Sequence, residues 1–150
     1  MRFVIQVVDN ASVDVEGVTI GKVDKGYLVL AGIGQGDNKA VADKMISKLT
    51  QLRIFKDENG KTNLSVKDVN GQILMISQFT LYADCRKGNR PSFVNAAPPD
   101  EASALFDYIV AKLREEIDVV ETGEFGAHMI VSLVNNGPFT VILDSADLKI

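Results

Sequence analysis

The 150-residue chain is poor in the residues that build metal centres, disulfides and acid–base relays. Cys85 is its single cysteine and His128 its single histidine, so no internal disulfide can form and no zinc cluster can be assembled from His and Cys. A Ser-His-Asp relay would have to use His128, and no nucleophile-elbow pattern accompanies it. The plainest reading of His128, at the start of a predicted strand, is a structural or surface residue. No apolar run approaches the roughly 20 residues needed to cross a bilayer. The opening stretch has no signal-peptide layout, because Asp9-Asn10 interrupt its short apolar run. These absences predict a cytoplasmic protein that uses no metal and no cofactor and does not enter a membrane. Basic charge is scarce too. The formal net charge is −4, which excludes wholesale electrostatic capture of nucleic acid. Any such contact must be local, and Arg86-Lys87-Gly88-Asn89-Arg90 offers a small basic patch whose ordinary reading is a solvated loop.

A hydrophobic content of 46% fits one compact domain over residues 1–150. Residues 1–8 and 12–15 read as strands, Glu16-Gly17 as a turn, and 18–23 as the next strand. The continuous apolar run 27–33 suits a strand buried on both faces. Asp37-Asn38 can cap a helix of about 14 residues that presents Val41, Met45, Leu49 and Leu52 at helical spacing. Residues 53–55 look extended, Asp57-Glu58-Asn59-Gly60 reads as a hairpin turn, and Asn70-Gly71 is a second turn signal before a buried strand over 72–79. The stretch 81–99 has no clear period, and a loop of that length inside a compact domain is usually functional. A second helix starts near Asp100 and shows Leu105, Tyr108, Ile109, Leu113 and Ile117 on one face. Two final strands, 129–134 and 139–143, are joined by Asn135-Asn136-Gly137-Pro138. No repeat, linker or low-complexity segment interrupts this pattern. The expected fold is α/β, a single domain of mixed β-sheets with two main helices packed on one face.

Two places stand out chemically. Ser77-Gln78-Phe79-Thr80 closes a buried strand just before the long loop, although Ser and Thr in strands are usually packing residues. Gly137-Pro138 lies between two apolar strands, where a plain turn is the usual reading and a cis peptide aiming carbonyls into a pocket is the sharper one. Gly32-Ile33-Gly34-Gln35-Gly36 lacks the full glycine fingerprint of a nucleotide loop and any Walker lysine, so it reads as a turn. The residues alone give two candidate sites and no mechanism.

The run from Ser77-Gln78-Phe79-Thr80-Leu81-Tyr82-Ala83-Asp84 to Arg86-Lys87-Gly88-Asn89-Arg90-Pro91-Ser92-Phe93 resembles the signature of the D-aminoacyl-tRNA deacylases. Val131-Ser132-Leu133-Val134-Asn135-Asn136-Gly137-Pro138-Phe139-Thr140 resembles the second signature of that family, and Thr122-Gly123-Glu124-Phe125-Gly126-Ala127-His128-Met129 a segment that lines its amino-acid pocket. Residues 6–15, 57–61 and 63–65 match as well, so the resemblance spans nearly the whole chain. It implies a homodimer with each site at the subunit interface, where the strand ending in Ser77 to Thr80 faces the Gly137-Pro138 loop of the other copy. It also implies that this dipeptide is cis, that its carbonyls capture the substrate's α-amino group, and that an L side chain finds no room. Catalytic roles are implied near the scissile ester for Thr80, Gln78, Ser77 and the Phe79 backbone. Ala102, Phe125, Gly126 and Met129 match positions around the substrate's amino acid. Arg86, Lys87 and Arg90 are the candidates for meeting the tRNA acceptor end. One departure is Val7, where the family usually carries an arginine that helps brace the Gly-Pro loop.

The implied substrates are D-aminoacyl-tRNA and glycyl-tRNA mischarged on tRNA-Ala. An aminoacyl-tRNA is an activated ester, so positioning and hydrogen bonds to the developing oxyanion can carry much of the rate. Thr80 as a nucleophile would need an activating base, and none is visible. The terminal ribose 2′-hydroxyl of the tRNA assisting a water is the favoured route. Two rivals stay open at this point. A non-catalytic RNA- or partner-binding module retaining the fold would tolerate loss of Thr80 and Gly137-Pro138, and a general esterase would not need the basic loop.

Overall fold

The computed structural model describes residues 1–148, so the last two residues of the expected domain lie outside the described part. The spine of the fold is a long first strand, β1 (Arg2–Val15). Along it Phe3, Ile5 and Val7 are buried on one face of the sheet, whereas Val8, Ala11 and Val13 are buried on the other. The parity changes between Val8 and Ala11, where pairing with the last strand shifts register. Asp9-Asn10, expected to separate two strands, are instead exposed residues within one strand. The extra residue of such an irregularity lets a strand change which side chains it buries without ending.

The chain reverses at Glu16-Gly17, both at positive φ, into β2 (Val18–Val23) and then β3 (Gly26–Gly32). Both run antiparallel to β1, β2 along its second half and β3 along its first. Helix α1 (Lys39–Gln51) begins as expected, with the Asn38 side chain accepting from the Val41 amide at 3.0 Å. A small hairpin follows, β4 (Phe55–Lys56) and β5 (Thr62–Leu64), turning at the predicted Asp57–Gly60 segment. Strand β6 (Gln72–Ser77) lies parallel to β3, helix α2 spans Pro99–Arg114, and β7 (Val120–Thr122) lies parallel to β6. The sheet order is β2-β1-β3-β6-β7, with β8 (Ile130–Asp144) paired to β1.

Both helices pack on one face, as expected: Met45 and Leu49 of α1 and Ile109 and Leu113 of α2 share a core with Phe3, Ile5, Tyr27, Val29, Ile73 and Met75. The opposite face is also buried. Val8, Val13, Val23, Leu28, Leu74 and Ile76 form a second cluster, covered by Met129, Val131 and Leu133. The sheet therefore curls almost into a barrel. At Gly21 of β2 an added Cβ would lie 2.7 Å from the Thr122 carbonyl oxygen of β7, so glycine permits that close approach.

Three further expectations need correction. The two final strands, expected to be joined by a turn, are one: β8 runs through both, and both of its halves pair antiparallel with β1. Gln6 faces Thr140 and Val8 faces Asn135, so the residues between Asn135 and Thr140 bulge out rather than turn the chain back. The 14-residue β1 is long enough to pair on both sides of the bulge, which makes reversal unnecessary. The strand expected over 72–79 stops at Ser77, and Phe79–Tyr82 form a 3₁₀ turn. Helix α2 stops at Arg114, so Ile117, although buried, lies beyond it.

Candidate active site

Parallel strands β3 and β6 end side by side at Gly32 and Ser77. In open α/β sheets, the crevice outside the carboxyl ends of such strands is where ligands sit. Here that position holds a cavity of about 250 Å³. Ala31, Ile33, Ile76 and Ser77 line it from the strand ends, Gln78 and Phe79 from the entry to the 3₁₀ turn, and Ala102 from the first part of α2. Phe125, Gly126, Ala127, His128, Met129 and Val131 complete the lining from the segment entering β8. Glycine at 123 leaves room for the Met129 side chain, since a Cβ there would come within 2.3 Å of its sulfur.

The 3₁₀ turn is fixed from several sides. The Gln78 amide continues the sheet by donating to the Ala31 carbonyl at 2.8 Å. Leu81 is the first residue to bond back within the turn, to the Gln78 carbonyl, so the Phe79 and Thr80 amides precede its internal ladder. Arg2 donates to the Leu81 carbonyl at 2.6 Å, pairs with Asp144 at 2.7 Å and stacks over the Tyr82 ring. Burial pushes the Tyr82 phenol up to about 12, with Asp37 and Asp144 adding to the effect, so the ring stays neutral. Gly32 and Gly34, the segment with a superficial likeness to a nucleotide loop, serve this packing. A Cβ on Gly34 would lie 2.7 Å from the Tyr82 ring. The Gln78 side-chain amide donates to the Thr80 hydroxyl, which is exposed.

The long segment after the turn is less free than its sequence suggests. Asp84 and Ser92 exchange two backbone bonds at 2.7 and 2.9 Å, and the Gln35 amide and the Ala97 amide tie residues 95–97 to residues 33–35. Only residues 85–91 project as a tip, which carries the exposed Arg86, Lys87 and Arg90. Arg86 forks onto Asp84 through two side-chain bonds, and that contact holds the Asp84 carboxyl down at about 2.

Seven sequence-predicted residues thus meet around one cavity: Ser77, Gln78, Phe79, Ala102, Phe125, Gly126 and Met129. Thr80 stands beside it through Gln78. Gly137 and Pro138 do not line it within one chain. Their peptide is cis, and they sit exposed at the crest of the β8 bulge. Three side-chain bonds tie the bulge down. Asn135 accepts from the Phe139 amide at 2.8 Å and donates to Thr140 at 3.0 Å, and Asn136 donates to Asp9 at 2.9 Å. Val7 is buried in the helix-side core. Sequence reasoning did not place His128 at the cavity; its position inside the segment from Phe125 to Met129 was the available signal. Among the described residues no three His, Cys, Asp or Glu side chains converge as a metal site.

This constellation can be compared with known proteins. A family model described as D-Tyr-tRNA(Tyr) deacylase matches residues 4–144. The chain belongs to this family. It is an enzyme of the deacylase class, and its relatives match it almost end to end. A D-aminoacyl-tRNA deacylase of Thermosipho africanus is 57% identical over 145 residues, covering 97% of each chain. One from Thermotoga petrophila is 53% identical over 148 residues, covering 99% of each. Among solved structures, a c-Myc DNA unwinding element binding protein superposes with a TM-score of 0.92 at 38% identity, over 96% of this chain and 98% of that one. A probable eukaryotic D-amino acid tRNA deacylase shares the fold, with a TM-score of 0.81 at 18% identity, over 95% and 97% of the two chains.

Proposed function

We propose that this deacylase hydrolyses the ester of D-aminoacyl-tRNA, and of glycyl-tRNA mischarged on tRNA-Ala, releasing the amino acid and tRNA in the cytoplasm. The observation that carries the proposal is a cavity lined by the family-like segments at Ser77–Phe79 and Phe125–Met129 with sparse acid–base equipment, His128 being the one ionisable side chain in its lining. That poverty suits an activated ester, which needs alignment and oxyanion stabilisation more than a strong base. In this reading Thr80, Gln78, Ser77 and the Phe79 amide orient the ester. Ala102, Phe125, Gly126 and Met129 surround the aminoacyl end.

The working unit is a homodimer in which the Gly137-Pro138 bulge of a second copy completes each cavity. Its carbonyls take the α-amino group and leave no space for an L side chain. Support comes from β8, whose outer edge has no strand partner among the described residues. Its side chains Ile130, Val134 and Ile142 are exposed, at 56%, 49% and 65%. An unpaired strand edge flanked by exposed apolar side chains is a surface that another chain ordinarily covers. No helix among the described residues is long and apolar enough to cross a membrane.

Purified protein should release D-tyrosine from D-tyrosyl-tRNA and leave L-tyrosyl-tRNA intact. Equal rates on the two esters would remove chirality from the function, and no release from either would remove the activity. A further expectation concerns the basic tip. Replacing Arg86, Lys87 and Arg90 with Ala should weaken tRNA binding and flatten its salt dependence, since each neutralised phosphate adds roughly 0.7–0.9 to the slope. Arg86 already serves Asp84, so two contacts rather than three should be lost, and the slope should fall by roughly 1.4–1.8. An unchanged slope would show that the tip is ordinary surface.

A further inference from the structure

The rim of the cavity carries an aromatic pair that the fold itself does not use. Phe79 is 57% exposed and Phe93 37%, and their rings meet edge to face with centroids 5.1 Å apart. Neither ring belongs to the two apolar cores. Val94, beside them in sequence, is exposed as well. Contiguous exposed apolar surface of this kind marks a contact site, and the surroundings say what kind.

Phe79 is part of the cavity lining, so the platform is continuous with the place where the ester is read to sit. Phe93 leaves the Asp84–Ser92 bridge at the foot of the basic tip, so the platform also adjoins the cations. Of those cations, Arg86 is paired with Asp84, whereas Lys87 and Arg90 are exposed and make no ion pair among the described residues. A cavity for a reacting end, then an exposed aromatic face, then unneutralised cations is the order in which a single-stranded polynucleotide presents its groups. Bases stack on aromatic side chains whatever their identity, and phosphates follow the cations.

Resting on the deacylase reading, we propose that Phe79 and Phe93 form a stacking platform for the base immediately preceding the terminal nucleotide of the RNA. Phe93 tests this best because it does not line the cavity. Phe93→Leu keeps an apolar side chain and loses the π face; Phe93→Tyr keeps both. With D-tyrosyl-tRNA, Phe93→Leu should raise KM by about 5- to 150-fold, the range expected for one lost base–aromatic stack, with kcat unchanged. With the same D-tyrosyl ester on adenosine alone, which has no preceding base, it should change neither parameter. Phe93→Tyr should behave as the parent does on both. In binding measurements with uncharged tRNA carrying 2-aminopurine at the penultimate position, the fluorescence should be quenched by the parent and by Phe93→Tyr, but not by Phe93→Leu.

An equal KM rise on both esters, or no rise on the tRNA ester, would overturn the platform. A shift of Phe93→Leu to a smaller species on sizing would overturn it too, by showing that the pair meets a second copy of the chain instead. If the parent hydrolyses neither ester, the deacylase reading fails. The 2-aminopurine measurement still judges the platform in that case.

Discussion

A D-tyrosyl-tRNA whose terminal adenosine lacks the 2′-hydroxyl should bind this protein normally and be hydrolysed about 100-fold more slowly or worse, the range for removing a positioned acid–base group. That corresponds to roughly 2.7 kcal/mol or more of transition-state stabilisation. The expectation follows from what stands near the ester site. The Thr80 hydroxyl is engaged by the Gln78 side-chain amide, a donor that cannot accept its proton. Ser77 and Gln78 do not act as bases at neutral pH, and His128 lies exposed at the mouth. The substrate's own hydroxyl, one atom from the ester oxygen's carbon, is then the group placed to guide the attacking water. Thr80→Ala should cost only about tenfold, the worth of one hydrogen bond. Single-turnover rates on ribose and deoxyribose substrates decide the matter. Fast turnover of the deoxy ester, with loss in His128→Asn, would move the base to His128. An acyl group trapped on Thr80 would move the nucleophile into the protein.

What could be read from the sequence was what local chemistry fixes. The runs that became β3 and β6 are buried on both faces, and an unbroken apolar stretch is the mark of that position. Asn38 announced the start of α1 because an amide side chain there satisfies an otherwise free N–H. Asp57-Glu58-Asn59-Gly60 announced its turn, where the Asp57 carboxylate accepts from the Lys61 and Asn59 amides and is held below its ordinary range by them. Non-local pairing was not legible. Asn135-Asn136-Gly137-Pro138 has the composition of a reversal, and only the length of β1, far away in the chain, turns it into a bulge. Strand β7 is three residues long, too short for any period to show.

The site divides along the same line. Residues in the family-like segments were nameable, because each segment is contiguous. That Phe125 and Met129 would face Ser77 and Gln78 depends on the sheet curling, which follows from the face switch at Asp9-Asn10 and the approach of β2 to β7. The fate of Val7 was likewise hidden. Its side chain joins the helix-side core, while the bulge is tied through Asn135 and through the Asp9–Asn136 bond. Both pairs of partners lie across register shifts that no periodicity reports.

Gly26→Ala should be the most damaging small substitution in the chain, lowering stability by about 3–5 kcal/mol. Gly26 opens β3 and faces Gln72 across the parallel β3–β6 pair. A Cβ there would sit 1.8 Å from the Gln72 carbonyl oxygen and 2.5 Å from its nitrogen. Neither backbone can step aside cheaply. The Gln72 amide donates to the Lys25 carbonyl at 2.9 Å, its side chain accepts from the Asp24 amide at 2.8 Å, and the Ile73 amide donates to Val119 at 3.0 Å. Relieving the clash therefore means parting β3 from β6 at one end, with loss of ladder bonds and of the packing around Ile73 and Tyr27. For a chain of this size, that loss should lower Tm by roughly 6–20 °C, at about 2–4 °C per kcal/mol. Gly36→Ala is the control. Gly36 has a φ of +83° and nothing within 4 Å of an added Cβ, so it bears only the backbone cost of about 1–2 kcal/mol. The cavity lies at the opposite end of the same strands, about five residues or roughly 16 Å along. Gly26→Ala protein that remains folded in the cold should therefore keep its KM for D-tyrosyl-tRNA. If thermal unfolding shows Gly26→Ala no worse than Gly36→Ala, the two strands are free to separate there, and they are not the rigid support on which the cavity has been placed.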